Sequence, residues 1–429
     1  MKLSAWWLLP IAPLVLWIGA QLVNRIRLLR RLDLPPAIVG GLLIAIAVLA
    51  ITLLGHTFSL DAKVTSKPWL WLITPETKLS SISPTAIYLP LSTIFFASVG
   101  LNASVSVARR GSWQLLLLLG LATGLGALQN LVGTGLAQLM HAPPLLGVVC
   151  GSLTLTGGPS TALGMADKFE EAGFANAAVV GTAAAMFGIV TASLLAGAVG
   201  GQLIRVFHLH GDDTPDVAAR KDKPPVRLLG PLDALRRPDA NTAAHLVILL
   251  LCVKAGAWLS LGWKILAGQM GWTVQFPVYM GAMVMAILVR NAAELLGWNV
   301  FRTLTIEALG GIALRLFLAM AIASLDLLQL RAVAGPMAVI LSTQIIVTIA
   351  YCTATTFILL GRDYDAAVMT AGHVGFGLGI TPNAVASMEN LTETFGPAPR
   401  GVLVATIVGA FLIDITNAFL ITFELHHVH

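Results

Sequence analysis

The sequence predicts an all-α polytopic membrane protein of about ten transmembrane helices, in two inverted five-helix repeats that each carry a re-entrant loop. Three observations lead there. The 429 residues are 57% hydrophobic and only 11% charged, with a mean hydropathy of +0.84, whereas a soluble domain is about 25% charged. Uncharged apolar runs of bilayer-crossing length, roughly 17–25 residues, recur along the chain. Two apolar segments are interrupted at matching places, by Gly151-Ser-Leu-Thr-Leu-Thr-Gly-Gly-Pro-Ser-Thr161 and by His373-Val-Gly-Phe-Gly-Leu-Gly-Ile-Thr-Pro-Asn383.

The spans fall near residues 6–24, 36–55, 86–103, 113–140, 176–203, 242–266, 276–296, 306–325, 334–360 and 401–424. The first is read as a retained helix and not a cleaved signal, because a basic cluster follows it and no small-residue cleavage site is evident. Basic residues set the topology. Arg25, Arg27, Arg30 and Arg31 follow span one, and Arg109 and Arg110 follow span three. Arg205 and the stretch Arg220 to Arg237 follow span five, Arg290 and Arg302 lie at or after the end of span seven, and Arg362 follows span nine. Every odd-numbered span therefore exits to the basic side, which the positive-inside rule makes cytoplasmic. Both termini are then outside the cytoplasm, with the chain in a bacterial inner (plasma) membrane. Lys63, Lys67, Lys78, Lys168 and Arg331 fall on the outer side, against the trend. The net charge of +5 is accounted for by these loops and implies no nucleic-acid partner.

Cys150, Cys252 and Cys352 lie far apart in apolar segments, with neither a metal spacing nor a disulfide framework. The terminal His426-His427-Val-His429 reads as a polar tail.

An internal repeat is visible. Pro159 and Met165 match Pro382 and Met388, and Gly173 matches Gly396, all at one offset (382 − 159 = 223). Pro36-Ala-Ile-Val-Gly-Gly is similar to Pro277-Val-Tyr-Met-Gly-Ala, and Phe95-Phe-Ala-Ser-Val-Gly to Leu316-Phe-Leu-Ala-Met-Ala. The chain divides into an N-terminal repeat, 1–207, with a re-entrant loop at 143–165, and a C-terminal repeat, 242–429, with a re-entrant loop at 364–389. Between them, 208–241 is a charged, proline-bearing cytoplasmic linker. Five spans per repeat insert the halves in opposite orientation, the plan of many secondary transporters.

A break exposed to lipid would strand backbone N–H and C=O groups, so it survives only where protein or a water-filled cavity satisfies them. Matched breaks in the two halves point to a transporter's binding site. Here the first dips in from outside and the second from the cytoplasm, so the tips meet near the midplane. Helix N-termini at the tips suit an anion; unwound carbonyls and hydroxyls suit sodium, a hard cation. The candidate substrate-binding residues are Thr156, Gly157, Gly158, Ser160, Thr161, Gly377, Gly379, Thr381, Asn383 and Arg315. The candidate sodium ligands are Thr154, Gln129, Asn130, Gln344, Gly375, Asp414 and Asn417. For the glycines the competing reading is close helix packing. For Gln129, Asn130 and Gln344 it is helix–helix hydrogen bonding. Asp414 and Asn417 share a helical face, and Asp414 is either an ion ligand or a hydrogen-bonded structural acid. Asn383 either meets a substrate carboxylate or caps the following half-helix. Lys254 faces the scaffold or the lipid interface.

These residues also carry a resemblance. Phe95-Phe-Ala-Ser-Val-Gly-Leu-Asn-Ala103, Gln129-Asn130, the Gly151 to Thr161 cluster and Leu316-Phe-Leu-Ala-Met-Ala321 belong to it. So do Tyr364-Asp-Ala-Ala-Val-Met-Thr-Ala-Gly-His-Val-Gly-Phe-Gly-Leu-Gly-Ile-Thr-Pro382, Phe395-Gly-Pro and Val408-Gly-Ala-Phe-Leu-Ile-Asp-Ile-Thr-Asn-Ala418. Together they resemble the bacterial sodium/glutamate symporter family. The resemblance implies uptake of L-glutamate coupled to co-transported Na+, two re-entrant loops, a homodimer in the lipid bilayer and an elevator-type movement. Two positions depart from the pattern. Gly157-Gly158-Pro159-Ser160-Thr161 stands where similar proteins read Gly-Gly-His-Gly-Thr, and Arg315 stands where they have a small polar residue. Arg315 either supplies a cation for a second carboxylate or pairs with Glu307 or Asp326 in the scaffold.

The alternatives are a sodium-coupled 2-hydroxycarboxylate or dicarboxylate symporter, and an ion channel. An enzyme is disfavoured: the acidic residues in the spans are isolated, and Gly375-Phe-Gly-Leu-Gly379 lacks the preceding strand of a dinucleotide fingerprint.

Overall fold

A computed structural model describes residues 2–3, 5–31, 35–54, 59–60, 63–82, 87–88, 90–103, 112–211, 240–270, 278–298 and 300–427. Residues 212–239 of the expected linker lie outside the described residues, as do Arg109, Arg110 and Pro277.

In chain order the helices are α1 (Ala5–Arg25), α2 (Arg27–Arg31), α3 (Pro36–Leu53), α4 (Lys67–Ile73), α5 (Leu91–Asn102), α6 (Ser112–Leu139), α7 (Pro144–Val149), α8 (Ser152–Leu155) and α9 (Gly158–Glu171). They continue as α10 (Ala177–Val206), α11 (Ala240–Gln269), α12 (Val278–Leu295), α13 (Thr303–Ala323), α14 (Ala334–Tyr351), α15 (Tyr364–Leu378), α16 (Thr381–Phe395), α17 (Pro399–Ile407) and α18 (Ile413–His427). Two ladders of two residues each join Lys2–Leu3 to Ser59–Leu60 and Lys63–Val64 to Ile87–Tyr88. Among the described residues, 9 helical stretches are long and apolar enough to cross a membrane. The span expected near 86–103 is the 12-residue α5, apolar but short.

The chain forms two compact units, each drawing on both halves of the sequence. One holds α1, α3, α4 and α5 from the first half with α11, α12 and α13 from the second. Its helices meet through small residues, which let backbones approach closely. A Cβ on Gly19 would lie 2.0 Å from Pro36 O, joining α1 to α3, and one on Gly256 would lie 2.3 Å from Ala282 N, joining α11 to α12.

In this unit the buried Lys254 of α11 is bound by backbone. Its ammonium donates to Trp71 O (2.7 Å), Thr74 O (2.8 Å) and Glu76 O (2.6 Å) and lies 4.2 Å from the Trp71 ring centroid. Carbonyls at a helix end lack intrahelical partners; one tetrahedral ammonium serves those of Trp71 and Thr74 at the end of α4 and that of Glu76 just beyond it. Lys254→Met is therefore expected to lower stability by on the order of 3 kcal/mol, since hydrogen bonds to charged groups are the stronger ones. Thermal unfolding in detergent checks this, and Lys254→Arg should rescue little because its planar fork cannot converge on three carbonyls.

The second unit holds α6, α7, α8, α9 and α10 from the first half and α14 to α18 from the second. At its centre, every residue of α15 except Asp365 is buried. A helix apolar on all sides requires protein on all sides. α16 folds back along it as an antiparallel hairpin: a Cβ on Gly375 would lie 2.5 Å from Ala384 Cα, and one on Gly372 would lie 2.8 Å from Met388 Sδ. Asp363 caps α15 by accepting from Ala366 N at 2.7 Å, and Asp365 accepts from Gly401 N at 2.7 Å. Arg400 bridges the two carboxylates at 2.6 and 3.2 Å.

Two spans of this unit loosen into π turns, at Cys352–Phe357 after α14 and at Val408–Leu412 between α17 and α18. Such turns are frequent at functional sites. Both face the hairpin: Thr356 Oγ1 is 2.7 Å from His373 Nδ1, and Thr381 Oγ1 donates to Gly409 O. The three cysteines are buried and unbridged.

Candidate substrate and ion site

Both broken segments lie in the second unit, and each breaks into helices at the residues that the sequence marks. In the first, α7 gives way at Cys150 and Gly151 to the single turn α8, and the chain turns again at Thr156 and Gly157 before α9. Gly158 opens α9 with φ +69°, a left-handed conformation that favours glycine. In the second, α15 ends at Leu378, Gly379 and Ile380 carry the chain across, and α16 begins at Thr381. The two tips meet: a Cβ on Gly158 would lie 2.8 Å from Ile380 Cγ2 and 3.9 Å from Gly379 O.

α9 and α16 both start at this meeting point, each with proline in its first turn and neither with a side-chain cap. The first N–H groups of such helices lack intrahelical partners and carry the positive end of the helix dipole. Ser160 and Thr381 are half-buried and Pro382 is exposed, while Thr156, Thr161 and Asn383 are buried. α10 closes the tips from one side: a Cβ on Gly188 would lie 2.2 Å from Leu378 O and 2.9 Å from Leu155 Cδ2.

Behind the tips, Gln129 of α6 joins the broken segments. Its amide nitrogen donates to Gly377 O (2.8 Å) and to Thr348 Oγ1 (3.1 Å), and its amide oxygen accepts from Thr156 Oγ1 (3.0 Å). Gln344 Nε2 of α14 donates to Gln129 O at 2.6 Å. Next along α6, Asn130 Oδ1 accepts from Ser152 N at 2.9 Å, and Asn417 Nδ2 of α18 donates to Ser152 O at 2.9 Å. The first N–H of a helix lacks an intrahelical acceptor and Asn130 supplies it for α8, while Asn417 adds a bond to Ser152 O, which also accepts from Gly157 N at 3.0 Å.

The expected site residues therefore divide. Thr156, Gln129, Asn130, Gln344, Gly377, Asn417 and Thr154 belong to one buried network or its margin, with Thr154 Oγ1 donating to Val149 O at 2.7 Å. Gly157, Gly158, Ser160, Thr161, Gly379 and Thr381 surround the tips. Gly375 is the close contact within the hairpin. The amide nitrogen of Asn383 donates to Ile189 O (2.8 Å) and Ser193 Oγ (2.7 Å), fastening α16 to α10 and not capping its own helix. Asp414, one turn before Asn417, is half-buried and makes no hydrogen bond or ion pair with the described residues. Arg315 is half-buried on α13 of the first unit, so it is not among the residues that the second unit assembles.

Sequence reasoning passed over Thr348, Ser152 and the Thr356–His373 pair. Thr348 sits four residues after Gln344, on the same face, and Ser152 lies inside the Gly151 to Thr161 cluster. Those were the available signals. Among the described residues, no group of three or more His, Cys, Asp or Glu could hold a metal ion.

Comparison with known proteins follows the same course. The family profile described as sodium/glutamate symporter matches residues 1–75 and 69–397. The sodium/glutamate symporter of Escherichia coli (strain K12) is 34% identical over 412 residues, covering 96% of this chain and 94% of that one. That of Haemophilus influenzae is 30% identical over 424 residues, covering 96% and 95%. Among solved structures, a sodium proton antiporter from Methanocaldococcus jannaschii aligns over 98% of this chain and 97% of its own at 13% identity. Its TM-score of 0.37 is too low to bear on the fold.

Proposed function

The chain belongs to the sodium/glutamate symporter family, and on that premise we propose that it carries L-glutamate inward across a bacterial plasma membrane by an elevator-type alternating-access mechanism. Na+ is the co-transported ion, and a symporter family is not an enzyme class. The observation that carries the site is the meeting of two uncapped helix N-termini at Gly158 and Ile380. The starts of α9 and α16, each the positive end of a helix dipole, converge there at half-buried Ser160 and Thr381, an arrangement suited to a small carboxylate.

The tip residues Thr156, Gly157, Gly158, Ser160, Thr161, Gly377, Gly379, Thr381 and Asn383 bind substrate in this reading. Sodium is held through Thr154, Gln129, Asn130, Gln344, Gly375, Asp414 and Asn417, directly or through the backbone that they position. Because the amide nitrogen of Asn383 is engaged by α10, its contribution is its oxygen or its placement of the α16 N-terminus. Arg315, in the other unit, keeps its two alternative roles, a cation for a second carboxylate or a scaffold partner of Glu307 or Asp326; unchanged glutamate affinity in Arg315→Ala would remove it from the substrate site.

The two halves, 1–207 and 242–429, are inverted repeats around the linker 208–241, with re-entrant loops at 143–165 and 364–389. Their support is positional. α9 and α16 start at matching positions (381 − 158 = 223). The glycines that follow them, also 223 apart, both have positive φ, +93° at Gly173 and +106° at Gly396. The unit containing both broken segments is the moving element of the elevator, and the other is the scaffold through which a homodimer forms. Both termini lie outside the cytoplasm.

Radiolabelled L-glutamate uptake into proteoliposomes tests the reading. Uptake that requires an inward sodium gradient and is displaced by excess unlabelled glutamate is expected. Displacement by citrate or another dicarboxylate, with glutamate ineffective, would replace the substrate assignment. Flux without sodium dependence or counterflow would replace symport with a channel.

A further inference from the structure

Deletion of a buried hydroxyl that has no partner ordinarily costs a protein nothing, which makes Ser152 informative. Its side-chain oxygen is fully buried and lacks a hydrogen-bond partner, and so does the amide oxygen of Asn417, a residue 1% exposed. Buried polar atoms are nearly always paired, and each exception asks for a reason. The orientation of Asn417 follows from its contacts: its nitrogen donates to Ser152 O at 2.9 Å, which leaves the oxygen end unengaged. The two residues converge on one place. Ser152 Cβ and Asn417 Oδ1 each lie 3.5 Å from the position that a Cβ on Gly126 would occupy, with Leu420 Cδ1 at 3.3 Å, so Gly126 of α6 and the Leu420 methyl border the place where the two residues meet. Asp414 stands one turn away on the helix that carries Asn417 and has no partner among the described residues.

We infer that Ser152 Oγ and Asn417 Oδ1, converging over Gly126, are two ligands of the sodium seat, a refinement that rests on the symport reading above. A hydroxyl and an amide oxygen are hard donors that replace water around a hard cation, and neither has a competing protein partner. Ser152 belongs to the first broken segment and Asn417 to the last span, with Asn130 Oδ1 holding Ser152 N at 2.9 Å. The seat therefore exists only while the first break is folded against α18. An ion in that seat holds the segment that carries Thr156 and the Gly158 tip, which gives sodium a way to prepare the substrate site. The amide nitrogen of Asn130 is also buried and unpaired. A water linking it to the two oxygens is the competing occupant.

The test is the sodium-induced rise in unfolding temperature of the purified full-length protein in detergent, without glutamate, in NaCl against choline chloride at equal ionic strength. Two variants are compared with wild type, Ser152→Ala and Gly126→Ala. In choline, Ser152→Ala should unfold within about two degrees of wild type, because no protein hydrogen bond is lost. It should need about tenfold more sodium for the same stabilisation, the scale of affinity lost when a group supporting a metal site is removed. Gly126→Ala, which adds a methyl beside the seat, should shift the sodium dependence in the same direction. If wild type responds to sodium and both variants respond identically, the seat is wrong, a water occupies the gap and symport stands. If wild type itself is unresponsive to sodium yet stabilised by glutamate, sodium coupling and the seat fail together.

Discussion

Replacing Gln129 by leucine is expected to reduce sodium-driven glutamate uptake to the level of empty liposomes, while helical content and membrane insertion are preserved. The size of the effect follows from where Gly377 lies. Its carbonyl is among the last of α15, just before the Gly379 break, and has no helical partner ahead of it. Gln129 Nε2 supplies that partner at 2.8 Å. The same amide accepts from Thr156 at the end of α8 (3.0 Å) and donates to Thr348 (3.1 Å). Leucine leaves Gly377 O and Thr156 Oγ1 without partners. Each stranded buried group costs about 1–3 kcal/mol, so the second unit should lose on the order of 2–6 kcal/mol. The loss falls on the link that registers one broken segment against the other. Wild-type uptake in Gln129→Leu would show that this registration is unnecessary. Thr156→Val combined with Gln129→Leu should cost less than the sum of the two single changes, because both remove one shared bond.

The second large effect is expected from Gly188→Ala. On most helices this change is neutral or favourable, by up to about 1 kcal/mol. At position 188 the new Cβ would stand 2.2 Å from Leu378 O and 2.9 Å from Leu155 Cδ2. The oxygen belongs to backbone already committed to the turn at Gly379, so it cannot swing aside as a side chain would. α10 must move away, and the damage falls on both tips, because Leu155 borders one break and Leu378 the other. Overpacking of this kind costs about 1–3 kcal/mol or more. A lower unfolding temperature with uptake lost is the expected outcome. Gly120→Ala on α6, where nothing lies within 4 Å of the added Cβ, serves as the control and should retain wild-type uptake.

These two residues mark how far the sequence could be read. Gln129 was legible as a polar residue in an apolar span, hence a residue with some buried task, but its task was left between ion ligand and helix–helix bond. Only the fold shows that three of its bonds go to protein, two of them on the rims of different breaks. Gly188 carries no local signal at all: it is one small residue in the run Ala183-Ala-Ala-Met-Phe-Gly188, on a helix with small residues throughout. Asn383 was legible as a residue after a helix-starting proline. Its actual partners, Ile189 O and Ser193 Oγ, are nearly two hundred residues away in sequence. Ser152 lay inside a recognised motif, yet an absent hydrogen bond cannot be read from a motif.

By itself the sequence determined the class of the molecule, the approximate helices and the places where two of them break. Each of these is a local property: hydropathy over about 20 residues sets a span, and glycine and proline set a break wherever they fall. The offset of 223 between Pro159 and Pro382 was equally local, a comparison of two short strings. Tertiary structure alone decided which helices share a unit. It took α6 to α10 and α14 to α18 into one body, with both breaks inside it, and left Arg315 in the other. It also decided which polar atoms meet. Hydrogen bonds reach about 3 Å, so whether an amide serves a carbonyl, a hydroxyl or an ion depends on positions set by the packing of the whole unit.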